Sequence, residues 1–336
     1  MTSKLKATGC SSSLRAIQEA IISQFQAGCI PEKELSIDES MVLWRERLRF
    51  RQYIPGKQHK RGVKLYMLCE TTGHMWNLFV CCGKSDPVSG LGHAESVVLK
   101  LMEKRLDLGH SLFVDNFYTS VPSAKVLESR KTSFCETLRR NRKHLPETVK
   151  SIRLQTGNHI VRRNGNIIVL KWKDKREIMM LSTHHSGKMI EGGKRNRHGQ
   201  FVKKPDCVFA YNEFICGIDR MDQLLAYYTP LRKSLKWYRM VVLQMIDMAV
   251  VNAYLLYKKL GSTCHQVWFR TNIARSLLVV QDRPDEPEPA VSAAGPFKHH
   301  KSSDLSRLTG QHHLNIIPPT STKQAPCKKC VVCKKK

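Results

Sequence analysis

Four aspartates stand where an apolar run ends or where a helix begins. The segment LFVDNFYTS ends an apolar run in Asp115, and ELSIDESM has the same layout around Asp38. In GIDRMDQ, Asp219 and Asp222 are three residues apart, so they share one face of a helix that begins near Gly217. A bare carboxylate at the end of a buried strand is costly unless it is paired or binds a metal. The pattern therefore favours a metal-binding carboxylate cluster.

Such a cluster suits phosphodiester chemistry, in which one metal ion activates water or a 3′-hydroxyl and a second stabilises the leaving oxygen. The two ions lie about 3.5–4 Å apart and share a bridging carboxylate. Mg²⁺ prefers oxygen ligands and keeps several waters, so a few carboxylates suffice. The alternative for any single acid is a helix cap. Spacing alone does not decide between the two, because the chain has 28 acidic residues.

The chain is strongly basic. Its 336 residues include 56 Lys and Arg, which gives a net charge of +28. This excess indicates a polyanionic partner, with nucleic acid first and an anionic membrane surface second, and a merely solubilising charge as the alternative. The longest apolar stretch, 240–257, is interrupted by Gln244, Asp247 and Asn252. It is too polar and slightly too short to span a bilayer, so we expect a buried helix with Asp247 as a packing residue.

Local patterns predict the elements that position the acids. Helical spacing over 12–28 predicts a helix that ends near Ala27, before Gly28. Three strands of an antiparallel meander follow, the first of them reaching Asp38. The predicted strands are 35–38, 63–68, 75–83, 111–115 and 133–138, with helices at 94–106 and 121–131. The order β-β-β-α-β-α-β is typical of an RNase-H-like α/β core, which carries carboxylates at strand ends and on a late helix.

Composition divides the chain into six parts. The predicted boundaries are 1–30 for an N-terminal helical segment, 31–144 for the first part of the core, 145–210 for a β-rich insertion ahead of the last acid, 211–280 for a mostly helical completion of the core, 281–322 for a Pro- and acid-rich linker, and 323–336 for a basic, Cys-rich tail. The linker and the tail are expected to be flexible.

Five segments occur in one order: ELSIDESM, RFRQYIPGKQHKRGVKLYMLCE, LFVDNFYTS, TLRRNRKHLP and GIDRMDQ. Together they resemble the piggyBac transposase family, in its transposable element-derived branch, over about residues 12–280. The resemblance implies an RNase-H-like DDE/DDD transposase core. It implies that Asp38, Asp115 and Asp219 are the catalytic, metal-binding acids and that Asp222 is a fourth functional acid. Phe117 and Tyr118 are then expected to pack beneath Asp115.

The resemblance also implies a reaction and its partners. The family reaction is cut-and-paste DNA transposition at TTAA sites, with Mg²⁺ or Mn²⁺ as the metal. Water attacks first, the freed 3′-hydroxyl forms a hairpin, and the reopened 3′ end is joined to a TTAA target. The expected partners are transposon ends and target DNA, the expected assembly is a homodimer if the family's N-terminal region is present, and the expected location is the nucleus.

Two segments carry the predicted DNA-binding residues, and Trp237 matches a family tryptophan placed to touch distorted DNA near the cut. The implied DNA-binding residues are Arg139, Arg142 and Lys143 in TLRRNRKHLP, and Lys236, Trp237 and Arg239 in LRKSLKWYRM. A tryptophan among cations can stack on a base. The alternatives are a solvated basic loop for the first segment and a core tryptophan for the second.

The twelve cysteines show no disulfide-framework spacing, which predicts a reducing, intracellular compartment. Near the end of the chain, Cys327, Cys330 and Cys333 form C-x₂-C-x₂-C and resemble the start of the family's zinc-binding module. A Zn²⁺ site needs a fourth ligand. A disordered basic tail is the favoured alternative.

Two departures from the family pattern favour a second function. The chain has Glu136 and Cys216 where the family usually has glycine, and a lost glycine can remove a backbone conformation that only glycine adopts cheaply. The sequence is also expected to be truncated at both ends. The alternative to an active transposase is therefore a catalytically inactive, domesticated or decayed DNA-binding derivative.

Overall fold

The computed structural model describes residues 12–82, 92–118, 120–195, 199 and 201–279. The helices are α1 Ser12–Gly28, α2 His93–Met102, α3 Val121–Ser129, α4 Glu147–Ser151, α5 Asp206–Phe214, α6 Gly217–Tyr227, α7 Trp237–Lys259 and α8 Gln266–Val279. The strands are β1 Glu34–Leu43, β2 Gln52–Tyr53, β3 Arg61–Glu70, β4 Met75–Val80, β5 Ser111–Val114, β6 Ser133–Thr137, β7 His159–Asn164, β8 Ile167–Lys173, β9 Glu177–Ser182, β10 Met189–Arg195 and β11 Phe201–Pro205. The predicted linker and Cys-rich tail lie outside the described residues.

A nine-stranded sheet organises the chain. Its order is β2-β3-β1-β5-β6-β9-β8-β7, with β4 paired to β3. Strands β1, β5 and β6 are mutually parallel neighbours, whereas β3 and β4 run antiparallel, as the predicted meander requires. The part β4-β3-β1-β5-β6 has the strand order expected of an RNase-H-like core.

Both faces of the sheet are covered, so the central strand β3 is buried along nearly its whole length. Side chains alternate between the two faces of a strand. Tyr66 and Leu68 therefore pack into the cluster formed with α2 and α3, while Leu65 and Met67 pack into the cluster formed with α1, α6 and α7. The helix that carries the late acids thus lies on the second face, against β1 and β3.

The β-rich segment 145–210 extends the central sheet. Strand β9 pairs antiparallel with β6, and β8 and β7 add to its outer edge. Only β10 and β11 form a separate two-stranded sheet among the described strands. The helical region begins at Asp206, earlier than the predicted residue 211. The carboxylate of Asp206 accepts the backbone N–H groups of Ser186, Gly187 and Cys207, and these contacts hold the start of the helix. Tertiary contacts therefore fix this helix start.

Some boundaries differ from the sequence prediction, although α1 agrees with it. Strand β1 does not end at Asp38 but continues to Leu43, because its pairing with β3 continues to Gly62. Its pairing with β5 stops at Ile37, so Asp38 lies in mid-strand beside an open edge. Helix α2 ends at Met102 and not at the predicted residue 106, and turns lead from there into β5.

Helix α7 is long and apolar enough to cross a membrane by length and composition. The argument that this stretch is too short and too polar to span a bilayer was therefore wrong. The expected burial is observed on one face of the helix, where Met245, Met248 and Val251 are fully buried. Asn252 bonds the backbone N–H and C=O of Met75. Asp247 pairs with an arginine of α8 at 2.5 Å, which is the packing role expected of it.

Candidate active site

Two of the predicted acids lie side by side on neighbouring parallel strands. The register pairs Ile37 of β1 with Val114 of β5, so Asp38 and Asp115 follow next to each other. The Asp115 Oδ1 atom accepts a hydrogen bond of 3.2 Å from the hydroxyl of Thr137 at the end of β6. The parallel strands therefore deliver two carboxylates to one edge of the sheet.

Helix α6 adds the other two acids, and its first residue explains how it comes so close. A Cβ atom on Gly217 would lie 2.4 Å from the Glu70 carbonyl oxygen and 2.6 Å from the Ser36 hydroxyl, so only glycine fits here. Ile218 and Met221 are fully buried against the sheet. The acids at 219 and 222 consequently stand above β1.

A lysine that the sequence analysis did not single out connects the cluster. The Lys57 Nζ atom lies 2.5 Å from Asp38 Oδ2 and 3.8 Å from Asp219 Oδ1. Burial acts to lower the pKa of Lys57, but the charge and hydrogen bond of Asp38 outweigh it and raise that pKa. Lys57 lies in RFRQYIPGKQHKRGVKLYMLCE, one of the five segments that carry the family resemblance. Its place in that segment was the sequence signal that could have identified it. Asp38 and Asp219 are thus within reach of one cation.

Burial sets the protonation of the inner acids. It raises the pKa of Asp38, and the ammonium group of Lys57 opposes that shift. It also raises the pKa of Asp222 to about 6, although the Ser40 hydroxyl donates to Asp222 Oδ1 at 2.6 Å. The side chain of Asp219 is 75% exposed. The cluster therefore carries partly buried negative charge that a bound cation would stabilise.

The raised pKa of Asp222 predicts a pH-dependent stability difference. A carboxyl with a pKa higher in the folded than in the unfolded chain stabilises the fold below about pH 4 and loses that contribution as pH rises through about 6. We expect Asp222→Asn to raise the free energy of unfolding at pH 8 by on the order of 1–2 kcal/mol, and by almost nothing at pH 4. Thermal unfolding in a chelator at several pH values measures this.

The control for that experiment is Asp174→Asn in the exposed turn between β8 and β9. It should change stability little at either pH. An Asp222→Asn effect of equal size at pH 4 and pH 8 would contradict the assignment of the shift to this carboxyl.

A buried network supports the loop that follows Asp115. The hydroxyl of Tyr118 donates to Glu39 Oε2 at 3.1 Å, and Lys64 pairs with the same oxygen at 3.6 Å. Tyr118 is almost fully buried, as predicted, but Phe117 is 37% exposed and covers the Lys64 ammonium group. The expectation that Phe117 packs beneath Asp115 was therefore wrong, because the turn after β5 directs it outward.

The predicted DNA-binding residues in TLRRNRKHLP have different environments. The Arg139 Nε atom donates to the side chain of Asn116 at 2.7 Å, and Arg142 donates to the Asn116 carbonyl oxygen at 2.5 Å. Both arginines therefore hold the loop directly after Asp115. Lys143 is exposed, with its ammonium group available to solvent.

The second predicted DNA-binding segment lies at the start of α7. Trp237 is half-buried, and its ring meets the ring of Phe50 edge to face, with centroids 5.0 Å apart. Lys236 and Arg239 are exposed on either side of it. The tryptophan is thus partly a packing residue, and two exposed cations lie near it in the sequence.

Neither departure from glycine requires a special backbone conformation. Glu136 lies in regular strand β6, paired with Val114 and Leu181, and it is not among the described residues with positive φ. Cys216 has φ −79° and ψ 6°. Both residues therefore have ordinary backbone conformations in this chain, and Glu136 places a fully buried carboxyl next to Thr137. The loss of activity expected from the missing glycines stays a prediction. Cys327, Cys330 and Cys333 lie outside the described residues.

Comparison with known proteins identifies the family. A family model described as Transposase IS4 matches residues 3–254, three quarters of the chain. This chain belongs to that transposase family, in its piggyBac type. The recognition made from the five sequence segments is thereby confirmed.

Two similar human proteins are named as derived from piggyBac transposable elements. The chain is 25% identical to PiggyBac transposable element-derived protein 3 over 327 residues, which are 92% of this chain and 54% of the relative. It is 26% identical to PiggyBac transposable element-derived protein 2 over 257 residues, which are 70% of this chain and 42% of the relative. This chain thus spans about half the length of these relatives.

A solved transposase structure has the same fold. It is described as a cryo-EM structure of a piggyBac transposase synaptic complex with hairpin DNA. It matches with a TM-score of 0.70 and 28% identity, over 79% of this chain and 56% of that one. The predicted RNase-H-like α/β class is therefore confirmed.

Proposed function

We propose that this chain is a DNA transposase core that cleaves and joins DNA strands through Asp38, Asp115 and Asp219. The observation that carries the proposal is the convergence of two neighbouring strand carboxylates with a helix carboxylate that shares Lys57 with one of them. Family membership supports the reaction class. The finer features proposed with it are cut-and-paste transposition and a preference for TTAA sites.

The donor set fits a hard divalent cation. All of the converging side chains offer carboxylate oxygens, which Mg²⁺ and Mn²⁺ accept and soft metals do not select. The Lys57 ammonium group between Asp38 and Asp219 indicates that the pocket already attracts positive charge. When bound, the ions would supply charge stabilisation and an activated nucleophile at the scissile phosphate. Asp38, Asp115 and Asp219 would hold them, and Asp222 would add charge behind them.

The chain's own residues orient this cluster. The Thr137 hydroxyl donates to Asp115 Oδ1 and so helps to fix the orientation of this carboxylate. Arg139 and Arg142 brace the loop after Asp115, so the strand end is held from two sides. Lys57 can neutralise the carboxylates before metal and DNA bind, and it can turn to a DNA phosphate afterwards. The positive charge of Lys57 lets the carboxylates lie close together without the full cost of their mutual repulsion.

DNA is the proposed partner. The net charge of +28 provides sequence-independent attraction to phosphates. The solved relative is described in complex with hairpin DNA, and we extend to this chain a DNA substrate that passes through a hairpin. We also propose that the chain acts in the nucleus as a homodimer that brings two transposon ends together.

Exposed lysines near the acids should contribute individually to DNA affinity. We expect Lys143→Ala to weaken duplex binding uniformly across sequences and to reduce the slope of log K against log salt by about 0.9, because one phosphate contact is lost. Fluorescence anisotropy at several salt concentrations measures the slope. Lys175→Ala, in the exposed β8–β9 turn, removes the same charge elsewhere and should leave the slope nearly unchanged. Equal losses in both variants would contradict a local contact at Lys143.

Nicking of supercoiled plasmid by the purified chain tests the proposed function. We expect nicking with Mg²⁺ or Mn²⁺ and none with a chelator. Salt-sensitive binding without nicking would instead support the second function, a non-enzymatic DNA-binding derivative, which the fully buried Glu136 beside the site favours.

A further inference from the structure

A second group of ligand-type side chains lies away from the four aspartates. Cys29 follows α1, while Glu70 and His74 flank the turn between β3 and β4. One ligand atom from each of the three lies within 4.8 Å of the others. From this convergence we propose that Cys29, Glu70 and His74 form a Zn²⁺ site, separate from the catalytic cluster and independent of the proposed reaction.

The environment of His74 favours a metal ion over a hydrogen bond as the partner of its imidazole ring. His74 is fully buried, and neither ring nitrogen has a hydrogen-bond partner among the described residues. A buried polar atom without a partner loses the free energy of its contacts with water. Coordination would satisfy one ring nitrogen.

The chemistry of the three ligands selects the metal. A thiolate and an imidazole suit Zn²⁺, whereas Mg²⁺ takes oxygen ligands. The carboxylate of Glu70 is fully buried and already oriented, because Glu70 Oε1 accepts the backbone N–H of Glu32 at 3.1 Å. Such outer contacts hold a ligand in place before the metal arrives. A water molecule would complete the four-coordinate shell of the ion.

A lysine competes with the metal. The Lys259 Nζ atom lies 2.5 Å from Glu70 Oε2 and 2.9 Å from Glu32 Oε1. In the metal-free protein this ammonium group balances the buried carboxylate. Zn²⁺ would take over that role, and Lys259 would keep its pairing with Glu32. The lysine therefore sets the affinity of the site and does not supply a ligand.

A metal at this site would fix the turn between β3 and β4, which contacts the helix that carries Asp219 and Asp222. The Arg220 guanidinium group of α6 donates to the Thr71 carbonyl oxygen at 2.6 Å, and the backbone of Gly73 packs against the same helix. A metal bound to Cys29, Glu70 and His74 would tie this turn to the end of α1. We therefore infer a structural role in which zinc stabilises the surface against which α6 packs.

Metal content and cobalt spectroscopy test the site in the full chain. The background carries Cys327→Ser, Cys330→Ser and Cys333→Ser, so that the tail cannot contribute. We expect one zinc per chain, and a thiolate-to-metal charge-transfer band when Co²⁺ replaces it. Cys29→Ser should lose the band and bind zinc at least about 100-fold more weakly, since even outer contacts are worth 10–100-fold. Cys264→Ser, another half-buried cysteine, is the matched control and should keep both.

Thermal unfolding separates a lost ligand from a damaged fold. In a chelator, Cys29→Ser and the background should melt at the same temperature. Added zinc should raise the melting temperature of the background and of Cys264→Ser, but not of Cys29→Ser. Lys259→Met should bind zinc about tenfold more tightly, because the repulsion between the ammonium charge and Zn²⁺ is gone. A background without a cobalt band, or a Cys29→Ser variant that binds zinc like the background, would overturn the proposal.

Discussion

Replacement of Asp115 by asparagine should reduce metal-dependent plasmid nicking by at least about 100-fold, because the metal ions contribute several kcal/mol of transition-state stabilisation. Asparagine keeps the size of the side chain and can still accept the hydrogen bond from Thr137. The fold and the loop after β5 should therefore persist. What is lost is one carboxylate charge beside Asp38, and with it the binding of the metal ions.

DNA affinity separates this effect from unfolding. Asp115→Asn should bind duplex DNA with almost the affinity and salt slope of the parent, since the basic surface is unchanged. Asp174→Asn, in the exposed β8–β9 turn, removes the same charge and should nick normally. If Asp115→Asn nicks DNA as fast as the parent, Asp115 does not hold the metal and the proposed site is wrong.

Gly217→Ala should lower both the free energy of unfolding and the nicking rate, although it leaves all four aspartates in the chain. The added Cβ would lie 2.4 Å from the Glu70 carbonyl oxygen, a backbone atom that cannot turn aside. Helix α6 must then move away from β1, at a cost of about 1–3 kcal/mol or more. Asp219 moves with the helix, so its oxygen leaves the reach of the Lys57 ammonium group. Denaturant unfolding and the nicking assay measure the two effects.

The matched control for this substitution is Gly193→Ala in β10. A Cβ atom there would meet nothing within 4 Å, so stability and nicking should both stay near the parent values. An unchanged nicking rate in Gly217→Ala would mean that the close approach of α6 to the sheet is not needed to position Asp219.

The acids were recognisable from the sequence because their local context carries the information. An apolar run before Asp115 and Asp38 and a three-residue spacing between Asp219 and Asp222 are patterns within a single element. Five ordered segments then gave the family, and the comparisons confirmed it. The α1 boundaries followed for the same reason, since helical spacing and a terminal glycine are local signals.

The sequence by itself therefore determined the family, the fold class, the candidate acids and most of the elements that carry them. Only the tertiary structure decided that β1 continues past Asp38, that β9 joins β6, that Lys57 lies between two carboxylates, and that Cys29 meets His74. These are contacts between residues far apart in the chain. Side-chain periodicity reports which face of an element is buried, but it does not report which distant element covers that face.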